Sequence, residues 1–153
     1  MALGSNLGDR RGHIQWAADR LTALLHDVRL STITESQPFE VPDLQPPYLN
    51  ALAAGHTDHP PDVILAQLLA LERDRGRDRR SYRAARTLDL DLILYGDVVL
   101  DTPELTLPHA RFRSRLFVLE PLVELAPEFI DPVTGKTMAE LFAALRAGET
   151  DAV

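Results

Sequence analysis

The stretch Thr87-Leu88-Asp89-Leu90-Asp91-Leu92-Ile93-Leu94-Tyr95 constrains this chain more than any other, because leucine falls at every second position from Leu88 to Leu94. Side chains of a β-strand alternate between faces, so this period reads as a strand half buried against a core. It predicts a strand over Leu88–Tyr95. Leu88, Leu90, Leu92 and Leu94 turn inward, and Thr87, Asp89, Asp91, Ile93 and Tyr95 take the other face. Asp89 and Asp91 then share a face, with Cα atoms roughly 7 Å apart. Aspartate is disfavoured in strands, so two in one short strand ask for a reason. Mg²⁺ takes one or two carboxylates together with waters and phosphate oxygens. A solvated strand face with two merely exposed aspartates is the competing reading.

The segment before this strand narrows the choice. Of the sixteen basic residues all but Lys136 are arginine, and seven of them lie between Arg73 and Arg86 against two acids, Asp74 and Asp78. Arg111, Arg113 and Arg115 form a second basic cluster, while the net charge of the whole chain is −7. Two short basic segments in an acidic background suit a small, dense anion better than a nucleic-acid duplex, which asks for a broad basic surface. Arginine's rigid fork matches phosphate oxygens. Gly76 to Arg86 therefore reads as a phosphate clamp leading into a metal-binding strand, and arginines and cations together point to a polyphosphate.

The remaining elements are legible from periodicity and punctuation. Met1 to Leu3 read as a strand stub, and Gly4-Ser5-Asn6-Leu7-Gly8 as a turn. Asp9 caps a helix with Ile14, Leu21, Leu24, Leu25 and Val28 on one face. Arg29 to Glu35 and Tyr48 to Thr57 read as strands on either side of a proline-rich loop. Pro60 and Pro61 open a second helix with Val63, Ile64, Leu68 and Leu71 as its stripe, and Gly76 ends it. After the aspartate strand come Val98-Val99-Leu100, a Pro-His segment, a helical stretch over Phe117–Leu125, and a last helix with a Thr137-x-x-Glu140 capping box. The order β-α-β-β-α-β with a C-terminal extension predicts an α+β, ferredoxin-like antiparallel sheet with two helices on one face, as a single domain over 1–153. The chain has no cysteine, no apolar run long enough for a membrane span and no signal pattern at its start, so the cytoplasm is the expected compartment.

Other residue groups speak more weakly. Gly4 to Gly8 is not a Walker A loop, because no Lys-Ser or Lys-Thr follows. Tyr48 and Asn50 could offer an aromatic face and an amide to a flat heterocycle, although on spacing alone packing and turning are the better explanation. His109 sits beside the second arginine cluster, where it can donate a hydrogen bond to a phosphate. No Ser/His/Asp arrangement stands out. An RNA-binding module of similar fold lacks support, since the strands carry no matching aromatic pattern.

Taken together, Ala2-Leu3-Gly4-Ser5-Asn6-Leu7-Gly8-Asp9, Pro47-Tyr48-Leu49-Asn50-Ala51, Leu71-Glu72 to Gly76-Arg77, Arg86-Thr87-Leu88-Asp89-Leu90-Asp91 and Leu105-Thr106-Leu107-Pro108-His109 to Arg115-Leu116-Phe117-Val118-Leu119 resemble the 6-hydroxymethyl-7,8-dihydropterin pyrophosphokinase family of folate biosynthesis. The segments occur in the family's order. The resemblance implies a monomer that moves pyrophosphate from ATP to the pterin hydroxymethyl group and releases AMP. It implies two Mg²⁺ ions on Asp89 and Asp91, and Arg77 and Arg86 as phosphate clamps. Glu72, His109 and Arg115 fall on the ATP side. Tyr48 and Phe117 would sandwich the pterin, Asn50 would bond its edge, and Gly4, Ser5 and Asn6 would line the same cleft. Where the family has Arg-Trp-Gly-Pro-Arg, this chain has Tyr82-Arg83-Ala84-Ala85-Arg86, which motivates the alternative of a catalytically weak pterin- or nucleotide-binding homologue.

Overall fold

A computed structural model of the chain describes residues 1–36, 47–76 and 87–151. It divides into two units, Met1–Asp91 and Leu92–Val153.

In the first unit the chain runs β1 (Ala2–Ser5), α1 (Arg10–Leu24), β2 (His26–Leu30), β3 (Thr34–Ser36), β4 (Tyr48–His56), α2 (Pro61–Asp74) and β5 (Asp89–Asp91). The sheet order is β2-β4-β1-β5, with β3 also paired to β4, and every pairing is antiparallel. With β2 and β3 counted as one interrupted strand, this is the ferredoxin-like arrangement, an α+β fold. Leu3, Leu90, Ala51 and Ala53 are buried on one face, the face that α1 and α2 cover.

Local chemistry explains both helices. The Asp9 carboxylate accepts the Gly12 N–H at 3.1 Å and caps α1, satisfying one of the amides a first turn leaves unpaired. A side chain at position 12 would run into that carboxylate. Ile14, Ala17 and Leu21 bury the inner stripe. Pro61 opens α2, where a missing N–H costs nothing, and Gly76, at φ +87°, stands just past its end. Arg75 ties the two helices together. Its Nε donates to His13 Nδ1 at 2.9 Å, and its guanidinium lies 4.9 Å from the Trp16 ring centroid. Burial, then the Arg75 charge, lowers the His13 pKa and keeps the ring a neutral acceptor.

Several boundaries differ from the sequence expectation. β1 extends through Gly4 and Ser5, because both pair with β4. Val28 belongs to β2, not to the face of α1, since the helix ends at Leu24. The expected strand over Arg29–Glu35 is two short strands, interrupted at 31–33. The expected strand over Leu88–Tyr95 is three residues long, because its ladder with β1 ends at the pair Ala2↔Asp91. Beyond that pair the alternation lapses. Ile93 is buried at 2% exposure rather than outward, and Leu94 is half-buried rather than inward.

The second unit contains the hairpin β6 (Leu100–Asp101) and β7 (Thr106–Leu107), a 3₁₀ turn at Phe112–Ser114, α3 (Leu116–Leu125) and α4 (Met138–Asp151). Phe112, Leu119 and Met138 are fully buried, and Val118 nearly so. The expected capping box closes the start of α4: Glu140 N donates to Thr137 Oγ1, and Thr137 N donates to Glu140 Oε1, both at 3.1 Å. No helix among the described residues is long and apolar enough to cross a membrane.

Candidate active site

Register assembles the first unit's site. Gly4 pairs with Asp89 on one side and with Asn50 on the other, and Asn50 pairs with Thr34. Directly opposed residues of a sheet point to the same face. Asp89, Gly4, Asn50 and Thr34 therefore form one row, and Asp91, Ala2 and Leu52 form the next. Tyr48, two residues before Asn50, and its partner Ser36 share this face. It is the face opposite the helices. Strands stand about 4.8 Å apart, so the backbones at Asp89 and Asn50 lie roughly 10 Å apart across a glycine.

Gly4 keeps that interval open. A Cβ there would sit 3.5 Å from Asn50 Oδ1 and 3.6 Å from Tyr48 Cδ1, so both side chains lean over the glycine. Asn50 is 8% exposed, and its Nδ2 donates to Ser36 Oγ at 2.7 Å. That bond fixes which end of the amide faces Ser36 and leaves the acceptor oxygen over Gly4. Thr34 and Ser36 are the site residues the sequence reading did not single out; their signal was an alternation matched to that of Tyr48 and Asn50. Ser5 alternates to the helix face instead, and among the described residues its Oγ is a buried side-chain oxygen with no hydrogen bond. Asn6 is fully buried.

Asp89 and Asp91 are half-buried and flank the buried Leu90. Their oxygens are hard donors on one strand face, the kind that suits Mg²⁺. The described residues contain no group of three or more His, Cys, Asp or Glu side chains that could hold a metal by themselves. A two-carboxylate set fits a cation that completes its coordination with water and phosphate oxygens. Glu72 is fully buried on α2, in line with Ile64 and Leu68, and its Oε2 accepts the Leu90 N–H at 2.8 Å.

Arg10 reaches the segment that delivers Tyr48. Its Nη1 donates to the Pro47 carbonyl at 2.6 Å and lies 3.6 Å from Glu35 Oε1. Arg77 and Arg86, the expected clamps, lie outside the described residues, as do Tyr82 and Arg83.

The second unit holds His109, Arg115 and Phe117. The His109 N–H donates to the Ile93 carbonyl at 2.8 Å, and Arg111 N donates to His109 Nδ1 at 3.1 Å. With Nδ1 an acceptor, the neutral ring carries its proton on Nε2. Arg115 immediately precedes α3 and holds its guanidinium 5.6 Å from the Phe117 ring centroid, while Phe117 is 37% exposed. Arg113 is committed elsewhere: its Nε and Nη2 donate to the buried Asp131 at 2.6 and 2.9 Å. Asp131 also accepts from Val133 N and Thr134 Oγ1. Burial pushes its carboxyl up, but the hydrogen bonds from Arg113, Thr134 and Val133 and the Arg113 charge outweigh this and hold it at about 2. One of the three clustered arginines is thus a structural partner.

Comparison with known proteins fits this geometry. The family model of 7,8-dihydro-6-hydroxymethylpterin-pyrophosphokinase matches residues 1–127. A 2-amino-4-hydroxy-6-hydroxymethyldihydropteridine pyrophosphokinase of Pseudomonas aeruginosa is 41% identical over 146 residues, covering 94% of this chain and 89% of the relative. A protein of the same name from Synechocystis sp. is 39% identical over 143 residues, covering 92% of this chain and 72% of the relative. One from Haemophilus influenzae is 37% identical over 134 residues, covering 86% and 83%. A match across most of the length, together with a ferredoxin-like sheet that gathers Asp89, Asp91, Asn50 and Tyr48 on one face, means that the chain belongs to the 7,8-dihydro-6-hydroxymethylpterin-pyrophosphokinase family.

Proposed function

We infer that the chain transfers pyrophosphate from ATP to 6-hydroxymethyl-7,8-dihydropterin in folate synthesis. The hydroxymethyl oxygen bonds to the β-phosphorus of ATP. The bond from that phosphorus to the oxygen bridging the α-phosphorus breaks, AMP departs with the electron pair, and the hydroxyl proton passes to solvent. The observation that carries this reading is the row Asp89–Gly4–Asn50, which sets a carboxylate and an amide side chain on one sheet face.

Asn50 Oδ1 accepts from the N–H edge of the pterin, and the Tyr48 ring supports the flat heterocycle. Phe117, exposed on α3, offers a second aromatic face. Asp89 and Asp91 would hold Mg²⁺, two ions in the full assembly, which would supply neutralisation of phosphate charge and a more acidic attacking hydroxyl. Arg77 and Arg86 clamp the phosphates, and His109 and Arg115 bind on the ATP side. A His109 ring protonated on Nε2 can donate there to a phosphate oxygen. These charged donors favour the transition state because they are held in place before charge develops. The protein acts in the cytoplasm as a monomer on small molecules, without nucleic acid or membrane.

The test is AMP release from ATP, assayed beside Asp91→Ala. AMP should appear only when ATP, Mg²⁺ and the hydroxymethyl pterin are all present, and the variant should lose nearly all of it. A variant as active as the parent would sink the metal assignment.

A further inference from the structure

β5 has only β1 as a strand partner among the described residues, so its other edge needs a different one. Successive amides of a strand point to opposite edges. The Leu90 N–H goes outward to Glu72 Oε2 at 2.8 Å, so the backbone groups of Asp89 and Asp91 face β1. A buried amide without a partner costs as much as a lost hydrogen bond, and an uncovered edge strand is free to shift. Glu72 removes both liabilities at the residue between the two aspartates.

The position of Glu72 in α2 shows how this is built. Ile64, Leu68 and Glu72 recur every four residues and are 1%, 0% and 0% exposed. A helix puts such residues on one face. The first two are apolar and the third is a carboxylate, which belongs on a buried stripe only if hydrogen-bonded. Its Oε2 bonds the backbone of the aspartate strand.

We propose that Glu72 is a positioning residue for the Asp89–Asp91 pair, serving the outer edge of β5 in place of a strand partner among the described residues and fixing the separation of the two carboxylates, rather than a contact to ATP itself. The proposal rests on the metal role given above to Asp89 and Asp91. Groups that orient metal-binding side chains typically change metal affinity or activity by about 10- to 100-fold when removed.

The experiment compares Glu72→Leu, Glu72→Asp and Glu72→Gln with the parent. Three quantities are measured: hydrogen exchange of the Leu90 amide by NMR, Mn²⁺ binding in the presence of α,β-methylene-ATP by electron paramagnetic resonance, and steady-state kinetics. Glu72→Leu should speed Leu90 exchange and weaken Mn²⁺ binding about tenfold or more, with the KM for the pterin unchanged. Glu72→Gln keeps an acceptor oxygen at the same reach and should restore slow exchange and Mn²⁺ binding to within about threefold of the parent, less than a typical loss of such a group. Glu72→Asp, one methylene shorter, should bind Mn²⁺ as poorly as Glu72→Leu, and it carries the test if the leucine variant does not fold. Parent-like Mn²⁺ binding in the aspartate variant would overturn the proposal. So would a glutamine variant whose KM for ATP rises while Leu90 exchange and Mn²⁺ binding stay at parent values, because that pattern marks a direct ATP contact. If the parent itself releases no AMP, the assigned reaction fails, while the exchange and Mn²⁺ measurements still decide the role of Glu72.

Discussion

Asp89 and Asn50 stand on one cross-strand row of the sheet, with Gly4 the only residue between them. The row sets a carboxylate and an amide about 10 Å apart, two strand spacings, over a floor with no side chain. A charged group and a flat heterocycle can then be held on one rigid surface. Loops hold such a distance less well, because their backbones vary more.

Gly4 makes the first test. The Cβ of Gly4→Ala would meet Asn50 Oδ1 at 3.5 Å and Tyr48 Cδ1 at 3.6 Å, which are ordinary contacts. Glycine within a strand is destabilising by about 0.5–1 kcal/mol relative to alanine, so the variant should unfold at or slightly above the parent's temperature. With the pterin placed as proposed over Asn50 and Tyr48, the same methyl would take space from it, and one misplaced methylene-sized group is worth about 1–3 kcal/mol of discrimination. The KM for the pterin should rise at least about tenfold, with the KM for ATP unchanged. Parent-like pterin binding by titration calorimetry would rule out the row as the pterin's floor.

Arg10 makes the second. Its bond to the Pro47 carbonyl precedes Tyr48 by one residue, whereas the Glu35 side chain it approaches is 57% exposed. An exposed ion pair contributes little, while a hydrogen bond to a half-buried carbonyl contributes about 1 kcal/mol. Arg10→Met should raise the KM for the pterin about fivefold, the equivalent of that bond, and Glu35→Gln should leave it at the parent value. Equal effects from the two variants would show that the ion pair, not the carbonyl bond, positions Tyr48.

Sequence reading reached the fold because helix periodicity, the Asp9 cap, the Pro61 start and the Gly76 stop are local signals. It reached the shared face of Asp89 and Asp91 because period two needs no partner. It overran the aspartate strand because length is set by the partner: β1 offers no residue of the ladder beyond Ala2. Ile93 and Leu94 kept the apolar pattern of a strand without its pairing. The alignment of Asp89, Gly4, Asn50 and Thr34 across three pairings is register, which no single segment encodes. The partner of Glu72 was hidden for the same reason, although a carboxylate in line with Ile64 and Leu68 was a visible anomaly. Likewise, Arg111, Arg113 and Arg115 look equivalent in sequence, and only the turn at Asp131 shows that Arg113 is committed to it.

The capping box of α4 gives a stability prediction away from the site. Thr137 Oγ1 accepts the Glu140 N–H at 3.1 Å. Replacing a capping hydroxyl by alanine costs about 1 kcal/mol. Thr137→Ala should lower the urea midpoint without changing the KM for either substrate. An altered KM would show that α4 bears on the site.

Asp131 gives the pH dependence. Its folded pKa is depressed from 3.8 to about 2. A depressed carboxyl contributes stability that is fully present above its unfolded pKa and is lost as pH falls through the folded value. The stabilisation should therefore be complete above about pH 5 and vanish between there and about pH 1–2. Asp131→Asn removes the titrating group, so its unfolding temperature should fall less steeply across that window than the parent's. It should also be lower at neutral pH, because the Arg113 guanidinium loses its charged partner. Arg113→Ala leaves the buried carboxylate with only Val133 and Thr134 as donors, and breaking a buried pair from one side costs about 3–5 kcal/mol. Thermal unfolding followed by circular dichroism from pH 7 to pH 2 measures all three proteins. Parallel curves for the parent and Asp131→Asn would mean that Asp131 titrates alike in the folded and unfolded chains, and the Arg113 pair would then carry no acid sensitivity.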